Sequence, residues 1–161
     1  MKSRDLEKEF EEKYRLYAAM LYRISFLYLG NSADAEDVLQ DVFTKYFFGK
    51  AKFSGAEHEK AWLIRTTKNA CLDLLKKAGR KNVSTQEVSL SVYCENDARQ
   101  DVLRSVLALP AKYKIVVLLY YYNDCSVEEI ARILKLSKAA VKKRLQRGRE
   151  MLKPELEDYA Q

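Results

Sequence analysis

Apolar residues recur at three- and four-residue spacing over most of this chain, which is the signature of amphipathic helices. Residues 5 to 29 carry Phe10, Tyr14, Tyr17, Ala18, Leu21, Tyr22, Ile24, Leu27 and Tyr28 in such a pattern, which closes at Gly30-Asn-Ser. A second helix is predicted from about Ala33 to Phe48. Its apolar stripe is Ala35, Leu39, Val42, Phe43 and Tyr46, while Asp34, Asp37 and Asp41 lie almost opposite, with Gln40 on the rim. Residues 49 to 60, rich in Gly, Ser and charge, read as a loop. Periodicity resumes over Trp62 to Lys77, with Leu63, Ile64, Ala70, Cys71, Leu74 and Leu75 as the buried side. Trp62, Arg65, Asn69, Asp73 and Lys76 make up the other side.

No sustained period runs from Gly79 to Asn96, and that stretch reads as a linker. Helical spacing returns from Asp97 to Leu109, Pro110 interrupts it, and Ala111 to Tyr122 follows as an apolar, aromatic segment. Propensity alone would allow a strand over Ile115 to Tyr122. A buried helix is the better reading, because no partner strand is evident and Pro110 suits a helix's first turn. The expected fold is therefore all-α: two small helical domains, residues 1–80 and 97–161, joined by a linker at 81–96.

The C-terminal part holds the sharpest local pattern. Ser126 followed by Glu129 forms a capping box, and Val127, Ile130, Ala131 and Leu134 then share one face. Ser137 can cap a second helix in which Val141, Leu145, Gly148 and Leu152 fall on one side. Two short capped helices with facing apolar seams, the second heavily basic, are the layout of a helix-turn-helix. A major groove admits such a helix, and Arg or Lys near its start can reach guanine edges. Ala140, Lys143, Arg144 and Arg147 are the candidates for base or nearby phosphate contact, while Lys138, Lys142 and Arg149 flank them as phosphate ligands.

Composition narrows the partners. The chain has 161 residues, a formal net charge of +6 and a pI near 9.1, which favours an anionic partner. The N-terminal residues lack the apolar core of a signal peptide, and no apolar run approaches the roughly 20 residues needed to cross a bilayer, so a cytoplasmic protein without membrane insertion is expected. Cys71, Cys94 and Cys125 are widely spaced and His58 is the only imidazole. Neither a metal site nor a cofactor site is expected, and no catalytic constellation stands out, so the chain reads as a non-enzyme. The Trp62 indole could stack on an unpaired base or pack against an adjacent helix near the loop.

In order and spacing, three segments resemble a bacterial RNA polymerase sigma factor of the small, two-domain extracytoplasmic-function type. Asp34-Ala-Glu-Asp-Val-Leu-Gln-Asp-Val-Phe43 is similar to that family's polymerase-binding helix. Trp62-Leu-Ile-Arg-Thr-Thr-Lys-Asn-Ala-Cys-Leu-Asp73 is similar to its promoter-melting helix, and Leu109 through Leu152 to its C-terminal promoter domain. The resemblance implies that Asp34, Asp37, Gln40 and Asp41 engage core RNA polymerase. It implies that Trp62, Arg65 and Asn69 hold the melted minus-ten strand, with Lys76, Lys77 and Arg80 on nearby phosphates. The loop of about 49–59 would capture an extruded base. Ser137, Lys138, Ala140, Lys142, Lys143, Arg144 and Arg147 would read the minus-35 duplex, and an anti-sigma factor is a further expected partner. The chain departs from the family at Lys135, where the turn commonly has glycine, at Lys138, and at Ala139-Ala140, where Gly-Thr is common. The alternatives are a dimeric helix-turn-helix regulator that binds an operator unaided, and a nuclease using Asp34, Asp37 and Asp41.

Overall fold

The computed structural model describes residues 3–79 and 97–160, and all regular structure among them is helical. Helix α1 spans Ser3–Leu29, α2 Ser32–Phe48 and α3 Ala56–Lys77. After the expected linker, which lies outside the described residues, come α4 (Asp97–Ala108), α5 (Ala111–Val117), α6 (Val127–Leu134) and α7 (Lys138–Ala160). The first three helices pack on one another, and α7 packs on α4, α5 and α6, giving two helical domains.

The N-terminal core is the meeting of the expected stripes. Leu21 and Ile24 of α1, Ala35 and Val42 of α2, and Leu63 and Ile64 of α3 are fully buried. Each large aliphatic side chain buried there contributes about 1.5–3 kcal/mol. Helix α1 stops because Gly30 adopts a left-handed conformation (φ 78°) and returns its N–H to the Phe26 carbonyl at 2.7 Å. Asn31 then starts α2: its Oδ1 accepts from the Asp34 N–H at 2.8 Å, and its Nδ2 donates to Asp34 Oδ2 at 2.8 Å.

Three expectations need correction. Helix α3 begins at Ala56, so His58, Glu59 and Lys60 are helical rather than part of the loop. Its N-cap is Gly55, which offers no side-chain bond to mark the start. Second, Ala70 and Leu74 are only half-buried, whereas Glu59, Ala61 and Thr67 are buried. Helix α3 packs on both α1 and α2, so its covered surface is wider than one stripe. Third, the aromatic segment after Pro110 is helical throughout but changes pitch: Leu118–Tyr122 forms a π-helical turn, in which Asn123 N–H reaches back to the Leu118 carbonyl at 3.1 Å. Asp124, at φ 52°, then turns the chain toward α6.

The helix-turn-helix forms as expected. Ser126 Oγ accepts from the Glu129 N–H at 3.1 Å, Glu129 answers to the Ser126 N–H at 3.4 Å, and Ser137 Oγ accepts from the Ala140 N–H at 3.1 Å. Val141, Leu145, Gly148 and Leu152 are all buried. Gly148 has a specific reason: a Cβ there would lie 2.8 Å from Val117 Cγ2, so α5 and α7 approach more closely than any larger residue allows. Ile133, outside the predicted face of α6, is buried too, because α6 contacts α3 as well as α7.

Between α6 and α7 the departure at Lys135 is real strain. Its backbone is left-handed (φ 57°, ψ 47°), and the N–H groups of Lys135 and Leu136 both turn back to the Ala131 carbonyl. A side chain at that conformation costs about 1 kcal/mol. Since Lys135 is exposed, Lys135→Gly should raise stability by up to about 1 kcal/mol, read as a higher urea midpoint with unchanged slope.

Candidate functional site

On α2, the side away from the core presents Glu36, Asp37, Gln40 and Asp41, all exposed. Asp34 is half-buried and its carboxylate is committed to the Asn31 cap, which leaves it less able to meet a partner than its neighbours.

What holds this face in place is a carboxylate that nothing in its own stretch of chain singles out. Glu59, 7% exposed, accepts from Lys13 Nζ at 2.8 Å and Tyr17 Oη at 2.9 Å through one oxygen, and from Tyr46 Oη at 2.8 Å through the other. Burial alone would raise its pKa. The hydrogen bonds from Lys13, Tyr46 and Tyr17, with the lysine's charge, outweigh that and hold it below the usual value. The two phenols respond in the opposite sense, with burial and then Glu59 pushing Tyr17 up to about 12. One side chain on α3 thus ties α1 and α2 together.

Next to Glu59, Trp62 is half-buried rather than projecting: its ring lies 5.6 Å from Phe53 and 6.3 Å from Tyr46. Phe53 belongs to the loop and also meets His58 edge-on at 5.4 Å, so the loop is anchored by aromatic contacts at its centre. Further along α3, Asn69, Lys76 and Lys77 are exposed. Arg80 lies outside the described residues. Arg65 is half-buried, and its Nη1 donates to the Ile133 carbonyl of α6 at 3.0 Å. Lys68, absent from the expected set, sits beside it: burial first, then the like charges of Arg144 and Arg65, keep the Lys68 pKa below its usual value. Helix α3 meets the helix-turn-helix through α6, and this brings Lys68 within electrostatic reach of Arg144 on α7.

On α7, Lys142 and Lys143 are exposed and Arg144 is half-buried. Lys138 reaches Glu128 at 3.1 Å, Arg147 reaches Glu150 at 3.3 Å, and Arg149 donates to Tyr121 Oη at 2.6 Å. Ala140 is half-buried beside the capped turn. The free cations of the helix-turn-helix are thus fewer than its count of lysines and arginines. More ion pairs, Arg132 to Glu57 at 2.7 Å and Lys60 to Glu129 at 3.7 Å, cross between the domains.

Comparison with known families decides what this arrangement is. Residues 14–81 match the family model for sigma-70 region 2, and residues 99–152 match that for sigma-70, region 4. The chain belongs to the sigma-70 family of RNA polymerase sigma factors. This sigma factor is 28% identical over 167 residues to the extracytoplasmic-function sigma factor SigW of Bacillus subtilis, covering 92% of this chain and 89% of that one. It is 29% identical over 138 residues to SigV of the same organism, covering 84% and 83%. In fold it is similar to the sigma factor RpoE of Bartonella quintana, solved in complex with the anti-sigma factor NepR, with a TM-score of 0.74 at 22% identity over 93% of this chain and 98% of that one.

The region 2 match takes in Glu59, Tyr17 and Tyr46, and Lys13 lies one residue before it. Glu59→Gln should lower stability by about 1.5–3 kcal/mol at pH 7, the range for hydrogen bonds to a charged group. Because the folded pKa is depressed, this stability is present above the unfolded value of 4.5 and is lost as pH falls through the folded value. Urea midpoints of the two proteins should therefore converge below pH 4.5.

Proposed function

We propose that this sigma factor docks core RNA polymerase through Asp37, Gln40 and Asp41 of α2, with Asp34 at the margin. It reads the minus-35 duplex with the start of α7 and holds the melted minus-ten strand along α3. On this reading the chain works in the cytoplasm as a non-catalytic subunit, and the reaction belongs to polymerase. The domains are assigned as 1–80 and 97–161, with 81–96 between them. A single observation carries the proposal: the exposed acidic face of α2 and the basic helix-turn-helix each fall inside the segment that matches the corresponding sigma region. A region 2 segment has no part in a dimeric operator-binding regulator.

In this assignment Arg144 and Arg147 contact base edges or adjacent phosphates, with Ala140 small enough to admit a thymine methyl. Lys138, Lys142 and Lys143 neutralise phosphates and contribute affinity without sequence information, while Ser137 fixes the helix start that aims them. On α3, Arg65, Asn69, Lys76, Lys77 and the neighbouring Arg80 follow the backbone of the opened strand, and Lys68 joins them. Trp62 acts with Phe53 as the aromatic wall of the loop rather than as a free platform. An anti-sigma factor, of the kind bound to the Bartonella quintana sigma factor, is the proposed regulatory partner.

Reading both promoter elements together requires the domains to part. Elements about 25 base pairs apart are separated by about 85 Å at about 3.4 Å per pair. A compact chain of this length has a radius of gyration of about 15 Å. Breaking the junction also frees Arg65 from the Ile133 carbonyl.

Purified chain with core polymerase should initiate transcription from a specific promoter class, and the Asp37→Lys, Asp41→Lys pair should bind core at least tenfold more weakly. Unchanged core binding by that pair would overturn the docking assignment. Arg144→Ala should weaken specific duplex binding by about 1–3 kcal/mol, while Lys142→Ala should weaken all sequences alike and reduce the salt slope by about 1.

A further inference from the structure

Four polar side chains meet in a seam that neither domain closes alone. Ser25 and Tyr28 come from α1, Cys71 from α3 and Lys114 from α5, and each is at most 1% exposed. Ser25 Oγ donates to the Leu21 carbonyl at 2.8 Å, and Cys71 lies within reach of both Ser25 and Lys114. The Lys114 ammonium stands 5.5 Å from the centre of the Tyr28 ring. The Tyr28 hydroxyl is buried with no hydrogen-bond partner among the described residues. On its other side α5 meets α7, where Tyr113 stands beside Arg147 at the surface.

Lysine is among the residues least often buried completely, and an ammonium taken out of water is costly even where its donors are met. A tyrosine ring attracts a cation. Here that attraction does not make up the difference, since burial still drives the Lys114 pKa down to about 7, with Cys71 acting in the opposite sense. Tyr28 and Cys71, which cover the amine, belong to the other domain, so the cost exists only while the two domains are together. An apolar side chain of similar length would close the same seam more firmly. A chain whose domains must part has a use for such a residue, because apparent affinity for the promoter falls with the fraction of chains that are open.

We propose that Lys114 is a built-in opponent of domain closure: its ammonium is covered only in the closed arrangement, and this sets how readily the domains part for polymerase and promoter. The proposal rests on the reading that both promoter elements are engaged by parted domains, and adds the residue that sets the balance. Tyr28 acts in the same direction from the other domain, since opening returns its hydroxyl to water.

The test is the distance between the domains, read by fluorescence energy transfer in the full chain between labels at the exposed Glu12 of α1 and Met151 of α7. Lys114→Met keeps the length of the side chain and removes the charge, and should raise the ratio of closed to open chains tenfold or more. Tyr28→Phe should shift the ratio the same way. The open form holds the lysine proton up to about 10.5 and the closed form only to about 7, so raising the pH between them favours closing in wild type. Lys114→Met should lack that rise. Cys71, its thiol pushed up to about 12 by burial, and Tyr28, raised by burial too, keep their protons over most of that range, and Tyr113 is common to both proteins. A ratio that is unchanged or lower in Lys114→Met would overturn the proposal, the lower one meaning that the ring contact holds the junction shut. Adding core polymerase and a promoter fragment with both elements tests the other reading separately. If wild type opens on that addition but Lys114→Met is no more closed than wild type beforehand, only the Lys114 proposal fails. If wild type stays closed with both partners bound, the reading that the domains part fails instead. Thermal melts report whether each variant is folded.

Discussion

The Glu59 carboxylate is the constraint on which the N-terminal half depends. A buried carboxylate is costly unless its lone pairs are met, and here Lys13, Tyr17 and Tyr46 meet them from the two helices that α3 must pack against. Apolar seams alone leave helices free to slide by a turn, since Leu, Ile and Val fit many registers. Three directed bonds to one carboxylate do not tolerate such a slide. They fix α2 against α3, and with it the acidic face against Arg65, Lys68 and Asn69.

The reasons why some of this was legible in sequence and some was not are physical. Periodicity and caps are local, so α1, α2 and both helices of the helix-turn-helix could be placed from their own residues; Asn31, Ser126 and Ser137 all act as caps. The left-handed Lys135 was foreseeable because glycine is the usual answer to that turn. Glu59 was not legible. In Glu57-His-Glu-Lys60 it looks like a solvated face, and its partners are 46, 42 and 13 residues away in sequence. Nor did Gly55 advertise the start of α3, since it caps without a side chain. Ile133 and Thr67 were missed for another reason: a second packing partner widens the buried arc beyond the stripe that one period reveals.

Charge placement connects the two halves. The exposed acidic residues Glu36, Asp37 and Asp41 of α2 face away from the core, while Lys68 of α3 lies within electrostatic reach of Arg65 and of Arg144 of the helix-turn-helix. Burial first, and then repulsion by the like charges of Arg144 and Arg65, holds the Lys68 pKa below its usual value. A phosphate would relieve that repulsion. Nucleic acid therefore has more to gain from these cations than either domain has to gain from keeping them together.

The proposed parting of the domains breaks contacts that are individually weak. Exposed ion pairs such as Arg132 with Glu57 contribute about 0–1 kcal/mol each. Arg23 adds a bond to the Tyr122 carbonyl at 2.7 Å, again at an exposed site. More telling is Lys114 of α5, which is fully buried with its ammonium 5.5 Å from the ring of Tyr28 on α1, near Cys71 of α3. Burial pushes its pKa down to about 7, against 10.5 for the ordinary side chain. A lysine released by opening regains its ordinary affinity for a proton, so as pH falls from 10.5 toward 7 the open form is progressively favoured, and below about 7 the effect is constant. At neutral pH nearly all of that bias toward opening is already in force. The Tyr28 hydroxyl, buried without a hydrogen-bond partner among the described residues, adds to the same side of the balance. In the proposed opening, returning an ammonium and a phenol to water offsets part of what the junction's contacts contribute.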